Sequence, residues 1–222
     1  MDNILNFPSS TIVDKPVPKN AFYGRTTDSS LRNFLTREFE SIIWLYKLAP
    51  ATLNVENGES VHEIDVFCCK MKEYRYSIKP FYEMDELLPR HTIFIIEYGG
   101  MFDLLMHHKE MTMVKGEQNW RCGVTELKRD IQPGNGVLYI QGQSMDAVYN
   151  GLLSQISGLS VSSKEEYKEQ VDLRKHIEIL QKQIATLQKR IKAEKQFNRQ
   201  MELNAEVRKL KKEITILSVS LK

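Results

Sequence analysis

The chain has 222 residues, of which 41% are hydrophobic and 27% charged, and a net charge of +2. That suffices for one ordinary domain and an extension. No run approaches the ~18–20 apolar residues of a membrane span, and Met1–Lys19 lacks the pattern of a secretory signal. Three cysteines without a CxxC pair fit a reduced, cytoplasmic setting and exclude a disulfide framework.

Residues 1–25 read as an extended lead-in, because Pro8, Pro16 and Pro18 block regular helix. The body spans 26–156. Its first element is predicted as an amphipathic helix over 29–48, N-capped by Asp28 and ended by Pro50. Leu31, Phe34, Leu35, Phe39, Ile42, Ile43 and Tyr46 recur near a 3.6-residue period there, with Glu38 inside the stripe. Trp44 falls opposite the stripe and, with Lys47, is a candidate surface contact. Residues 51–72 read as a hairpin around Asn57-Gly58, and 82–88 as a short helical segment. The apolar run Thr92–Ile96 predicts a central strand buried on both faces, followed by a Gly99-Gly100 hairpin. Trp120, Cys122 and Val124 mark another strand, 133–136 a turn, 137–140 a short strand, 145–156 a helix and 157–163 a linker.

Residues 164–222 contain no Gly or Pro. Leu173, Ile177, Leu180, Ile184, Leu187 and Ile191 alternate steps of four and three, and so do Leu203, Val207, Leu210, Ile214, Leu217 and Leu221. This is a coiled-coil seam, which one helix cannot bury alone. The chain therefore needs a partner helix, either its own copy or another protein. Ile at a and Leu at d favour a dimer if the coil is parallel. The two runs are out of phase around 193–202, which means a local change of supercoil or a hairpin bend. Without Gly or Pro there, one long helix is expected. The tail carries 15 Lys/Arg against 9 Asp/Glu, the rest of the chain 16 against 20. Lys189, Arg190, Lys192, Lys195 and Arg199 form one basic group and Arg208, Lys209, Lys211 and Lys212 another. Such groups are ordinary on a solvated coil face and are also suited to nucleic-acid phosphates.

No complete catalytic set stands out. Glu38, Glu63, Asp65 and Glu97 are weak candidates for a Mg²⁺-dependent nuclease, which requires acids sharing one ion. The Glu-x-Lys pair expected there is missing. The plainer reading puts Glu63 and Asp65 on the wet side of a half-exposed strand. His91, His107, His108 and Cys122 have no zinc-ligand spacing, and no phosphate-cradling loop is present, so neither metal nor cofactor is expected.

Ile43-Trp44-Leu45-Tyr46-Lys47-Leu48-Ala49-Pro50, Val61–Phe67, Leu88–Phe94 and the lead-in from Phe7 to Tyr23 resemble the bacterial domain-of-unknown-function family 4391 over about residues 5–156. The tail lies outside the resemblance. Such proteins are often encoded beside helicases and DNA methyltransferases of restriction-like antiviral systems. The resemblance thus implies a non-enzymatic accessory subunit with those enzymes as partners. The expected fold is α+β, a mainly antiparallel sheet with flanking helices followed by a C-terminal coiled-coil helix.

Overall fold

A computed structural model describes residues 5–23, 29–114, 117–132, 137–159, 164–194 and 196–219. Asp28, the 133–136 turn, most of the 157–163 linker, Lys195 and Leu221 lie outside them. The chain divides into two compact units, Met1–Gly158 and Leu159–Lys222.

The first unit is α+β. In chain order it holds β1 (Ile12–Pro16), α1 (Asn20–Tyr23), α2 (Ser29–Glu38), β2 (Phe39–Leu48), α3 (Pro50–Leu53), β3 (Ile64–Met71), α4 (Lys79–Leu87), β4 (His91–Tyr98), β5 (Met101–Val114), β6 (Glu117–Ile131) and α5 (Met145–Ser157). The six strands form one sheet in the order β1-β2-β3-β4-β5-β6. Every neighbouring pair is antiparallel except β3–β4, which is parallel because α4 carries the chain back to the starting end. The lead-in supplies β1, an edge strand on β2.

The expected 29–48 helix is half wrong. It is helical only to Glu38, and Phe39–Leu48 is a strand paired with β1 and β3. Of the expected 51–72 hairpin only the second strand forms, as β3. Pro50–Leu53 is a helical turn, and Asn57-Gly58 wraps onto the start of α5. There the Asp146 carboxylate accepts from the backbone N–H groups of Glu59, Ser60 and Val61 at 2.6, 3.2 and 2.8 Å. A Cβ on Gly58 would stand 2.4 Å from the Val61 carbonyl oxygen, so only glycine fits the wrap. Residues 137–140 form no strand, since Gln155 holds both the N–H and the C=O of Tyr139 instead.

β4 is the expected central strand, buried from His91 to Ile96, and Gly99 and Gly100 close its hairpin at positive φ. Phe94 and Ile96 point into a core with Leu35, Phe39, Phe67, Phe81 and Met84, under α2 and α4. By strand alternation His91, Ile93 and Ile95 face the other way, and His91 there meets Tyr149 of α5, ring centroids 4.7 Å apart.

The second unit corrects the single long helix. It contains two helices, α6 (Lys164–Ala193) and α7 (Phe197–Val219), folded against each other. Ile184 and Leu187 of α6 pack with Leu203, Val207, Leu210 and Ile214 of α7. His176 lies 3.5 Å from Glu213, so the helices run antiparallel. Among the described residues no helix is long and apolar enough to cross a membrane.

Candidate functional site

The most unusual chemistry in the first unit sits where α4 meets β5 and β6. Phe81, Met84 and Asp85 are all buried on one stripe of α4, so the fold drives an acid into the core along with its apolar neighbours. His107 and Lys109, two residues apart in β5, share one face of the strand, and both reach it. His107 Nδ1 stands 3.0 Å from one Asp85 oxygen and Lys109 Nζ 2.9 Å from the other. Lys109 also donates to the carbonyls of Asp85, Leu88 and Arg90, the last two at 2.6 and 2.7 Å. The side chains of Asp85, His107 and Lys109 are all 0% exposed. The Cys122 sulfur of β6 lies within 4.8 Å of the Asp85 carboxylate, and Tyr82 donates to the Cys122 carbonyl at 2.7 Å. The Trp120 ring lies 5.2 Å from the Lys109 ammonium.

This centre balances one buried carboxylate with one buried ammonium, and several hydrogen bonds offset their desolvation. Burial, followed by the nearby Asp85 charge, pushes the Cys122 thiol well above its ordinary range, which makes it a poor nucleophile at neutral pH. Burial, with the Lys109 charge behind it, lowers His91 to about 4, so that ring is neutral at pH 7. Ligand atoms of Asp85, His107 and Cys122 lie within 4.8 Å of one another, a grouping no sequence spacing announced. A divalent ion held by these three would sit beside the Lys109 ammonium and would need the Cys122 thiolate, whereas burial keeps the proton on the thiol. The cation of this oxygen-lined cage is Lys109 itself. The arrangement clamps α4 to the two long strands.

A second polar corner lies at the other candidate acids. Asp65, at the start of β3, is 9% exposed, so it is not on a wet strand face as the plainer reading expected. Burial first, then the negative charge of Glu63, raises its carboxyl to about 6, against opposing pulls from Arg90, Lys47 and a Trp44 hydrogen bond. Its Oδ1 is buried without a partner. Glu63 is clasped between Lys47 and Arg90, each at 2.9 Å. Trp44 is half-buried against the core beneath α2 and α4, and its indole N–H donates to the Tyr46 carbonyl at 3.0 Å.

The four candidate acids do not meet. Lys47 pairs with Asp65 at one end of the β2–β3 ladder, while Glu38 precedes Phe39, which pairs with Met71 at the other. Six residues of strand separate those ends, roughly 20 Å. Glu97 pairs with Lys70, also far along β3 from Asp65. Only Glu63 and Asp65 share a corner, and Glu38 engages Arg37 at 2.8 Å instead.

The seam residues do come together, within the chain. Ile177, Leu180, Ile184, Leu187 and Val207 are buried, while Leu173, Ile191, Leu203, Leu210, Ile214 and Leu217 are half-buried. Large apolar side chains off the seam stay exposed, including Phe197 at 71% and Met201 at 55%.

The sequence profile of a domain of unknown function (DUF4391) matches residues 5–214. The chain belongs to this family. The match runs past residue 156 into both hairpin helices, so the tail is part of the family's pattern and not an appendage outside it. Comparison with curated proteins and with solved structures finds no match.

Proposed function

We propose that this DUF4391 protein is a non-enzymatic, cytoplasmic accessory subunit of a bacterial defence complex, holding helicase or methyltransferase subunits through its helical hairpin. The observation that carries this reading is the outer surface of the hairpin. Its seam is covered internally, yet Ile179, Phe197, Met201 and Ile216 remain 51–71% exposed on a two-helix unit. Phe197 and Met201, four residues apart on one face of α7, present an apolar pair that a partner can cover. The closed Asp85 centre supports the same reading, because Asp85, His107 and Lys109 engage one another and are shielded from solvent. Three buried, free cysteines suit the reducing cytoplasm.

Co-expression of the full chain with the helicase and methyltransferase encoded beside its gene tests the proposal. The intact protein should co-purify with at least one of them. Phe197→Glu with Met201→Glu should abolish that association while leaving the circular dichroism spectrum unchanged. Retention of the partner by the double variant would remove the hairpin from the contact, and failure of the intact chain to bind either enzyme would remove the proposal.

A further inference from the structure

The charges of the hairpin are segregated along its length. From Lys164 to Glu178 four Lys/Arg are interspersed with five acids, as on any solvated helix. From Ile179 to Lys212 ten Lys/Arg meet only three acids, Glu194, Glu202 and Glu206. The His176–Glu213 contact and the packing of Leu187 with Val207 set the register, and Lys182, Gln183 and Thr186 line one groove with Glu206 and Leu210. The two basic groups, separate in sequence, thus share one half of one hairpin. Lys182, Lys189, Arg190, Lys192, Arg199, Arg208, Lys209, Lys211 and Lys212 are all exposed, and none makes an ion pair among the described residues.

We infer that this half of the hairpin binds the sugar–phosphate backbone of nucleic acid without regard to sequence. Its basic stretch on α6, 15 residues from Ile179 to Ala193, is about 22 Å long at ~1.5 Å per residue. Duplex DNA presents roughly one negative charge per 1.7 Å of axis, so a contact of that length meets several phosphates. A pair of helices, each about 10 Å across, is too broad to enter a major groove of ~12 Å, so it lies across the backbone and does not read base edges. Phe197, the first residue of α7, is 71% exposed and offers an unpaired base a stacking face. Duplex and single strand present the same phosphates, and separate arms of one experiment tell them apart.

The test is fluorescence anisotropy of the full chain with a labelled duplex and a labelled single strand of about 20 nucleotides, at about 50 and 200 mM salt. Binding should be present at the lower salt and, for four phosphate contacts, weaken roughly 100-fold at the higher. The variant Lys182→Gln, Lys189→Gln, Arg208→Gln, Lys211→Gln should lose most of that affinity and its salt dependence while keeping its helical circular dichroism. Lys168→Gln with Lys175→Gln, in the charge-mixed half, should bind as the wild type does. Tighter binding of the single strand that Phe197→Ala removes would assign the contact to stacked bases plus phosphates, and equal binding of both to phosphates alone. No binding at the lower salt, affinity that ignores salt, or equal loss in the two variants would overturn the inference. So would poly-glutamate binding as tightly as the duplex, which would make the partner an acidic protein.

Discussion

At the scale of single residues the decisive group is Lys109. Replacing it with Met leaves the Asp85 carboxylate buried without a counter-charge, and breaking a buried pair in that way costs about 3–5 kcal/mol. Urea denaturation should report a loss of that size. The double variant Lys109→Met, Asp85→Asn removes both charges and should lose less than the sum of its parts. Two other buried groups make opposite contributions to pH dependence. Asp65 holds its proton to about pH 6 in the fold against 3.8 as its ordinary value, so its contribution to stability falls as pH rises through that window. His91 resists protonation down to about 4 against an ordinary 6.5, so the unfolded chain takes up the proton first and stability falls as pH drops. Each shift is worth up to about 3 kcal/mol, and the two nearly cancel between pH 4 and 6. Asp65→Asn should therefore make the protein acid-labile. His91→Phe should make it more stable at about pH 4.5 than at 6.5, and unfolding midpoints at the two pH values check both.

At the scale of elements, what could be read from the sequence followed the regularity of the pattern. β4 was legible because a continuous apolar run has one simple explanation, a strand covered on both faces. β2 was not. Its register shifts between Phe39 and Ser41 and again between Trp44 and Tyr46. Each bulge adds a residue and breaks the two-residue alternation, leaving Phe39, Ile42 and Tyr46 at spacings of three and four that imitate a helix. The tail seam was legible, and its phase break around 193–202 allowed a hairpin bend, but without Gly or Pro between Ala193 and Phe197 one long helix was expected instead. Of the Asp85 centre one trace was available. Asp85 stands four residues after Phe81 and three before Leu88, an acid in the apolar stripe of a short helix. Its partners came from strands more than twenty residues away, beyond the reach of local pattern. On the hairpin, Leu187 is 8% exposed and contributes roughly 1.5–3 kcal/mol by its burial. Leu187→Asp should part α6 from α7, seen as lost helical ellipticity without loss of the sheet signal.

At the scale of the molecule the division into Met1–Gly158 and Leu159–Lys222 has a direct test. The first unit has its own double-sided core, so a fragment ending at Gly158 should fold alone and unfold in one cooperative transition. Under the proposed function it should also fail to co-purify with the helicase or methyltransferase that the intact chain is expected to hold. A fragment that aggregates or melts without a transition would show instead that the hairpin completes the fold.

The strand order, β1 to β6 without a permutation, bears on how the protein is made. Each strand leaving the ribosome finds its neighbour already synthesised, and none has to be inserted between two that are paired. The longest wait separates β1 from β2, the stretch that carries α1 and α2, and α5 itself arrives only after the whole sheet. The growing sheet should therefore assemble one strand at a time, with β3 holding an unpaired edge until α4 and β4 emerge. Slowing translation after residue 71 would lengthen the life of that edge and raise the aggregated fraction, whereas a pause after residue 131 would find the sheet complete.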